Sequence, residues 1–188
     1  HRTGRKVDCI EIVNDKLDTQ HESVFDRTDE EISKLKQADF VEIIKEKSLV
    51  GLGGSGFPTY IKLATKDKIN TVVINAVECE PYLSSDYRLI LEHPDRVIAG
   101  LKYIMQALSC KKGVIAIKSK NGPLYQVLTQ VLNHRFPELD VEVMKLGNHY
   151  PQGWEIEVFK YALGIEIPHG ELPMKYGVIG FNVSTSAG

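Results

Sequence analysis

The apolar positions after residue 70 follow two alternating patterns. Continuous apolar runs predict buried strands over 71–77 and 113–117, and a further strand is predicted over 139–145. Apolar residues at helical spacing cover about 59–65, 86–92, 95–108, 122–133 and 153–163. Strands that alternate with helices build a parallel sheet covered by helices on both faces. The predicted fold class is therefore α/β, with a parallel sheet flanked by helices.

The two ends of the chain carry different patterns. Residues 7–13 alternate apolar and polar side chains and predict a short strand, after which a polar stretch follows. Thr28 and Glu31 have capping-box spacing, and a helical pattern runs from them in two pieces to about residue 47. The expected organisation is a stub of a preceding domain over 1–27 and one α/β domain over 28–188, with 176–188 as the entry to a further element.

Charge and hydropathy exclude two classes of partner. The 188 residues carry a formal net charge of -2, and acidic and basic side chains are mixed along the whole chain. Binding to a nucleic-acid backbone needs a basic stripe, so nucleic acid is not an expected partner. The apolar runs are far shorter than the ~20 residues that span a bilayer, and no apolar core of a signal peptide follows the basic first residues. The expected location is the cytoplasm, with any membrane attachment made through partner proteins.

Cysteine and histidine spacing argues against a metal centre. Cys9, Cys79 and Cys110 are too few and too widely spaced for a four-thiolate iron–sulfur cluster, a zinc site or a disulfide framework. The histidines show no metal-ligand spacing. Cys79 is also a poor nucleophile candidate, because the carboxylates of Glu78 and Glu80 on either side disfavour a thiolate. No metal is therefore expected in this chain.

A glycine-rich segment precedes the first strong strand. Four of the six residues from Gly51 to Gly56 are glycine, which permits positive φ and leaves backbone N–H groups open to an anion such as phosphate. The segment follows a helix and lacks a Gly-Lys-Ser/Thr ending, so it is neither a dinucleotide fingerprint nor a P-loop. Phe57 offers a stacking face for a planar ring, and Lys62 can direct its ammonium at the same place. The alternative is a flexible surface loop, with Lys62 on a solvated helix face.

A second polar cluster follows the strand predicted over 71–77. Asn75, Glu78 and Glu80 lie at its carboxyl end, where ligands bind in open α/β sheets. An amide and two carboxylates supply donors and acceptors for ring, ribose or amide groups of a ligand. The alternative is that the two glutamates are merely exposed at the end of a strand.

Three ordered segments carry a family resemblance. They are residues 51–62 (GLGGSGFPTYIK), 73–92 (VINAVECEPYLSSDYRLILE) and 150–155 (YPQGWE). Over roughly residues 30–188 the chain resembles the C subunit of Rnf-type electron-transport complexes, including the electron-transfer protein associated with proline reductase. More distantly it resembles the 51 kDa flavoprotein subunit of respiratory complex I, which carries FMN and oxidises NADH. The resemblance implies a Rossmann-like parallel sheet that forms an FMN-binding core of the complex I 51 kDa type.

The resemblance also implies a role for individual residues. Lys62 would supply positive charge to the flavin, and Phe57 would stack on the nicotinamide side. Asn182 and Thr185 look like parts of a late Asn-Val-x-Thr motif that closes over the FMN phosphate. The implied FMN-binding residues are Gly51, Gly53, Gly54, Lys62, Asn75, Glu78, Cys79, Asn182 and Thr185, and the implied NADH contacts are Phe57, Glu80 and Glu155.

The activity that the resemblance implies is oxidation of NADH through bound FMN. The electrons would pass to 4Fe–4S clusters in a part of a longer protein that lies beyond Gly188. Other electron-transfer subunits or a reductase would be the partners. The implied location is cytoplasmic, or peripheral on the cytoplasmic face of a membrane.

Three residues depart from the complex I pattern. Leu52 stands in place of an arginine and Val77 in place of an aspartate, and both fit the Rnf pattern or lie near it. Trp154 replaces the first of two adjacent acidic residues, which leaves one carboxylate fewer for a nicotinamide nucleotide. This favours one alternative, a flavin-binding adaptor that is fed by a partner protein. A docking module that binds no cofactor is the other alternative.

Overall fold

The computed structural model describes residues 8–22 and 25–188. The chain divides into two compact units, His1–Lys34 and Leu35–Gly188. Within the described ranges, no helix is long and apolar enough to cross a membrane.

The described part of the first unit is mostly irregular. Residues 8–13 form no strand, and Ile10, Ile12 and Val13 are 84–92% exposed. The strand predicted over 7–13 is therefore wrong for residues 8–13, while Val7 lies outside the described residues. An alternating pattern produces a stable strand where one of its faces is buried, and these apolar side chains are not buried.

The first unit ends in helix α1, Asp29–Ser33. The Thr28 N–H donates to the Glu31 carboxylate at 2.8 Å, and the Glu31 N–H donates to Thr28 Oγ1 at 3.3 Å. This reciprocal capping box satisfies two N–H groups that the first helical turn leaves unpaired, and it confirms the predicted helix start. The assignment of residues 1–27 to a preceding domain stays a prediction.

The second unit alternates helices and strands along the chain. Its helices are α2 Gln37–Glu46, α3 Thr59–Leu63, α4 Ser85–Glu92, α5 Pro94–Ala107, α6 Gly122–Arg135, α7 Glu155–Leu163 and α8 Val183–Ala187. Its strands are β1 Thr71–Ala76, β2 Lys112–Lys118, β3 Asp140–Leu146 and β4 Val178–Asn182, and a 3-10 helix covers Pro173–Tyr176. The helices and strands predicted between residues 59 and 163 are confirmed, with boundaries that shift by one or two residues.

The four strands form a parallel sheet in the order β3-β2-β1-β4. The chain adds β2 and β3 on one side of β1, and it then returns to the other side of β1 for β4. The direction in which strands are added to the sheet therefore reverses between β1 and β4. A crevice at such a switch point is where open α/β sheets bind ligands. The predicted class, a Rossmann-like parallel sheet flanked by helices, is confirmed.

Helices cover both faces of the sheet. Phe159 of α7 packs on one face with Val73 of β1 and Val114 of β2. The alternate residues of β1, Val72 and Ile74, are also fully buried, and α5 packs against β1 and β2. Burial on both faces explains why β1 and β2 are continuous apolar runs rather than alternating ones.

Strand β4 is the element that the sequence pattern does not reveal. Residues 176–188 were expected only as the entry to a further element, and they contain β4 and α8. Gly180 interrupts the short apolar run of β4. A Cβ at position 180 would lie 2.4 Å from Glu155 Oε1 and 3.0 Å from Phe159 Cζ. Close approach of α7 to the sheet therefore requires glycine at this point.

Candidate functional site

A cleft of about 1100 Å³ opens at the carboxyl ends of β1 and β4. It lies at the switch point of the sheet, where the topology predicts a ligand site. All twelve residues predicted to contact a cofactor or a nucleotide line this cleft. They are Gly51, Gly53, Gly54, Phe57, Lys62, Asn75, Glu78, Cys79, Glu80, Glu155, Asn182 and Thr185.

The glycine-rich segment forms a closed loop at one wall of the cleft. The Gly51 N–H donates to the Phe57 carbonyl at 2.8 Å, and the Gly56 N–H donates to the Gly51 carbonyl at 3.0 Å. Gly54 and Gly56 have φ of +98° and +60°. Residues that carry a Cβ rarely adopt these values, so the loop conformation favours glycine at both positions.

The tip of this loop has the features of an anion nest. The N–H groups of Gly53, Gly54 and Ser55 donate no hydrogen bond within residues 8–22 and 25–188. A Cβ built at Gly54 would have no heavy atom within 4 Å, so open space faces this backbone. Three successive unpaired N–H groups beside open space suit a phosphate group, which accepts several hydrogen bonds at once. The loop therefore fits the phosphate of FMN.

The start of α8 holds the base of the loop. The Leu52 N–H donates to Thr185 Oγ1 at 2.9 Å. A Cβ at Gly53 would lie only 3.0–3.2 Å from the Asn182 side chain, so glycine allows this close contact. Asn182 is the N-cap residue of α8, and its Oδ1 accepts the Ser184 N–H at 2.9 Å. Asn182 and Thr185 thus support the loop from beneath while they also line the cleft.

Asp86, in the first turn of α4, is a cleft residue that no sequence prediction included. It is 6% exposed, and its two carboxylate oxygens accept hydrogen bonds from Asn182 Nδ2 at 2.7 Å and Ser184 Oγ at 3.0 Å. Burial raises the pKa of the Asp86 carboxyl, the two hydrogen bonds oppose the rise, and the nearby Glu78 carboxylate adds to it. Its place inside the 73–92 motif was the available signal, but an aspartate in a first helical turn is usually a solvated residue.

Lys62 and Glu155 contact each other across the cleft. Lys62 Nζ donates to the Gly180 carbonyl at 2.7 Å and lies 3.4 Å from Glu155 Oε1. It also lies 5.3 Å from the centre of the Phe181 ring, within the range of a cation–π contact. The resemblance assigned Lys62 to the flavin and Glu155 to the nucleotide. The structure brings the two side chains together as an ion pair.

The end of β1 is joined to the segment before α7. Asn75 Nδ2 donates to the Gly153 carbonyl at 2.9 Å, and Asn75 Oδ1 accepts the Val77 N–H at 3.1 Å. A Cβ at Gly153 would lie 2.1 Å from the Val77 carbonyl oxygen and 2.8 Å from Cys79 Sγ. Glycine at 153 therefore permits this contact, and Asn75 fixes the wall of the cleft that carries Cys79.

Apolar side chains line the mouth of the cleft. Phe57 is 44% exposed and Trp154 is 55% exposed, and Leu52, Leu83 and Tyr150 are exposed as well. Exposed aromatic faces beside polar groups suit the stacking of planar rings. The roles of the twelve predicted residues towards FMN and NADH remain predictions, although their convergence on one cleft is observed.

The purified chain is expected to contain neither iron nor zinc. Within the described ranges, no group of three or more His, Cys, Asp or Glu side chains is placed to hold a metal ion. None of the three cysteines forms a disulfide, and three thiols cannot supply the four ligands of a cluster. Elemental analysis checks this prediction, and iron or zinc equimolar with protein would contradict it.

The chain is similar to known proteins over most of its length. The Nuo51 FMN-binding domain family matches residues 44–188. The chain is 33% identical to the C subunit of the Na(+)-translocating ferredoxin:NAD(+) oxidoreductase complex of Acetobacterium woodii, over 100% of this chain and 42% of that protein. It is 34% identical to the cobalamin reductase PduS of Citrobacter freundii, over 77% of this chain and 30% of that protein. The chain therefore spans less than half the length of these relatives.

A solved structure shares the fold. An NAD+-reducing NiFe hydrogenase in its H2-reduced state superposes with a TM-score of 0.69 at 21% identity, covering 83% of this chain and 30% of that chain. At this identity the likeness concerns the fold alone.

Proposed function

The chain belongs to the Nuo51 FMN-binding domain family, and on that premise we propose that it binds FMN in the cleft and oxidises NADH there. Its relatives include the C subunits of Rnf-type complexes, which places it among the electron-transfer domains of oxidoreductase complexes. The observation that carries the proposal is the convergence of twelve motif residues on one cleft at the switch point of the sheet.

The residues present fit FMN as the cofactor. The unpaired N–H groups of Gly53, Gly54 and Ser55 would bind its phosphate, and Asn182 and Thr185 hold that loop in place. Bound FMN would supply the redox chemistry, by accepting a hydride from NADH and releasing electrons one at a time. The work of the chain is to bind and orient the two ligands, and no side chain need act as an acid or base.

Residues of the same cleft suit a nicotinamide nucleotide. Phe57 offers an exposed ring for stacking, and Glu80 and Glu155 offer carboxylates that accept hydrogen bonds from ribose or carboxamide groups. Carboxylates also repel the 2′-phosphate of NADPH. NADH is therefore the proposed substrate, with NADPH the poorer one.

The electrons would leave the flavin for a part of a longer protein outside this chain. Because this chain spans less than half of its relatives, we expect 4Fe–4S clusters to lie outside it and to take the electrons. Other electron-transfer subunits or a reductase are the proposed partners. The proposed location is cytoplasmic, or peripheral on the cytoplasmic face of a membrane.

A second candidate function is a flavin-binding adaptor that receives electrons from a partner protein. Trp154 favours it, because this side chain is 55% exposed at the mouth of the cleft, where the complex I pattern has a carboxylate. An indole cannot accept the hydrogen bonds that a carboxylate accepts.

NADH is expected to bleach the flavin absorption of FMN-loaded protein. The test is stopped-flow spectroscopy without oxygen, after unbound flavin has been removed. NADPH should react more slowly, because of Glu80 and Glu155. Protein that binds FMN but does not bleach at millimolar NADH would support the partner-fed adaptor. Protein that stays colourless after incubation with FMN would support a docking module without cofactor, and equal rates with both nucleotides would reject only the roles of the two glutamates.

A further inference from the structure

Asp86 makes its contacts at the cleft with protein groups. Both of its carboxylate oxygens are occupied, one by the Asn182 amide and the other by the Ser184 hydroxyl. Asp86 is 6% exposed, and a buried carboxylate is costly unless it is hydrogen-bonded in this way. The hydrogen bonds from Asn182 and Ser184 therefore account for the buried Asp86 carboxylate without a contact to a ligand.

The carboxylate determines which way the Asn182 amide faces. A carboxylate accepts hydrogen bonds and cannot donate them, so Asn182 must turn its NH2 group towards Asp86. Asn182 Oδ1 then faces the other way, where it accepts the Ser184 N–H at 2.9 Å. The amide orientation is thus fixed from both sides.

Asn182 in turn supports the glycine-rich loop. Its side chain lies against the Cα of Gly53, where a Cβ would be only 3.0 Å away. One turn of α8 further on, Thr185 accepts the Leu52 N–H. Asp86 therefore holds Asn182 and Ser184, and the start of α8 holds Leu52 and Gly53 at the base of the nest.

We propose that Asp86 is a positioning residue for phosphate recognition, acting on the loop through Asn182 without touching the ligand. The inference rests on the proposed function, because it assumes that the loop binds the FMN phosphate. Loss of the Asp86 carboxylate should therefore weaken binding of the phosphate of FMN more than binding of its ring system.

Asp86→Asn tests this, since the change keeps the size of the side chain. The new amide has one acceptor oxygen for two donors, and its NH2 group must face one of them. We expect affinity for FMN to fall roughly tenfold or more, the scale of a lost hydrogen bond to a charged group. Affinity for riboflavin, which has the same ring system without phosphate, should stay within about threefold, the scale of an indirect change. Titration of intrinsic fluorescence with each flavin measures both.

Asp95→Asn is the matched control. Asp95 lies in the first turn of α5, pairs with Arg135 at 3.1 Å and does not line the cleft. Its replacement should change neither affinity. Circular dichroism of each variant checks the fold. If Asp86→Asn does not fold, Ser184→Ala takes its place in the test, because it removes one hydrogen-bond partner and leaves the Asp86 carboxylate in place. Ser184→Ala should lower the affinity for FMN and leave the affinity for riboflavin unchanged.

The outcomes separate this inference from the proposed function. A selective loss for FMN supports the role of Asp86. Suppose that the wild type prefers FMN and that Asp86→Asn loses affinity equally for both flavins, or loses none. That result would overturn the role of Asp86 and leave the proposed function intact. Wild-type protein that binds FMN no more tightly than riboflavin would overturn the assignment of the phosphate to the loop, and this inference with it.

Discussion

Gly54→Val is expected to abolish FMN binding at micromolar concentrations. Gly54 lines the cleft and has φ of +98°, and a Cβ there would have no heavy atom within 4 Å. Valine would both fill the nest and strain the backbone by about 1–3 kcal/mol. The strain alone corresponds to about 5- to 150-fold if the loop relaxes out of its binding conformation. Equilibrium titration with FMN, followed by flavin fluorescence, measures the loss.

Gly170→Val separates the ligand effect from the backbone effect. Gly170 also has positive φ, +84°, and a Cβ there would also meet no atom within 4 Å, but it does not line the cleft. This variant should suffer similar strain and still bind FMN as the wild type does. If Gly54→Val binds FMN normally, the glycine-rich loop is not the phosphate site.

Glu155→Gln is expected to slow the reduction of bound FMN by NADH while FMN affinity changes little. The resemblance assigns Glu155 to the nucleotide, and a hydrogen bond to a charged group contributes about 1.5–3 kcal/mol. The expected loss in rate at low NADH concentration is therefore roughly 10- to 150-fold. Stopped-flow absorbance measures it across a range of NADH concentrations.

The same change has a second effect that the structure makes explicit. Glu155 lies 3.4 Å from Lys62 Nζ, so glutamine removes the partner charge of the ammonium. An uncompensated positive charge near the flavin would raise its midpoint potential and favour reduction. A slower reaction together with an unchanged or raised potential would therefore locate the defect in nucleotide binding. A lowered potential would instead contradict the arrangement of Lys62 and Glu155 described above.

Glu157→Gln is the control for this experiment. Glu157 lies in the same first turn of α7, and it does not line the cleft. Its replacement removes the same charge from the helix and should leave both the rate and the potential unchanged. A similar slowing in Glu157→Gln would point to a general electrostatic effect of α7 and not to a contact at position 155.

Sequence patterns predicted three of the four strands of the sheet, and the family resemblance named twelve residues that line the cleft. Strands β1 and β2 were predicted from continuous apolar runs, which they have because both of their faces are buried. The motif residues come from four separate parts of the chain, and the topology brings those parts to the same edge of the sheet. Gly54 and Asn75 could be predicted because each belongs to a local motif whose chemistry depends on few neighbours.

Features that depend on distant contacts were not predictable. The strand expected over 7–13 has the right alternation and, over its described residues, no buried face. Strand β4 is short and interrupted by Gly180. Glycine is needed there because α7 packs too closely for a Cβ. Lys62 and Glu155 are far apart in sequence, so the sequence around either residue does not show that they form an ion pair. Asp86 looks like a solvated first-turn aspartate, and only the folded chain reveals it as buried.

The position of Trp154 gives the cleft an optical signal of its own. The chain contains a single tryptophan, and its indole lies at the mouth of the cleft. Indole emission overlaps flavin absorption, so a flavin bound nearby takes up the excitation energy and dims the emission. Tryptophan fluorescence of the unlabelled protein therefore reports events at this one place, and it can follow both the arrival of a flavin and the later entry of a nucleotide.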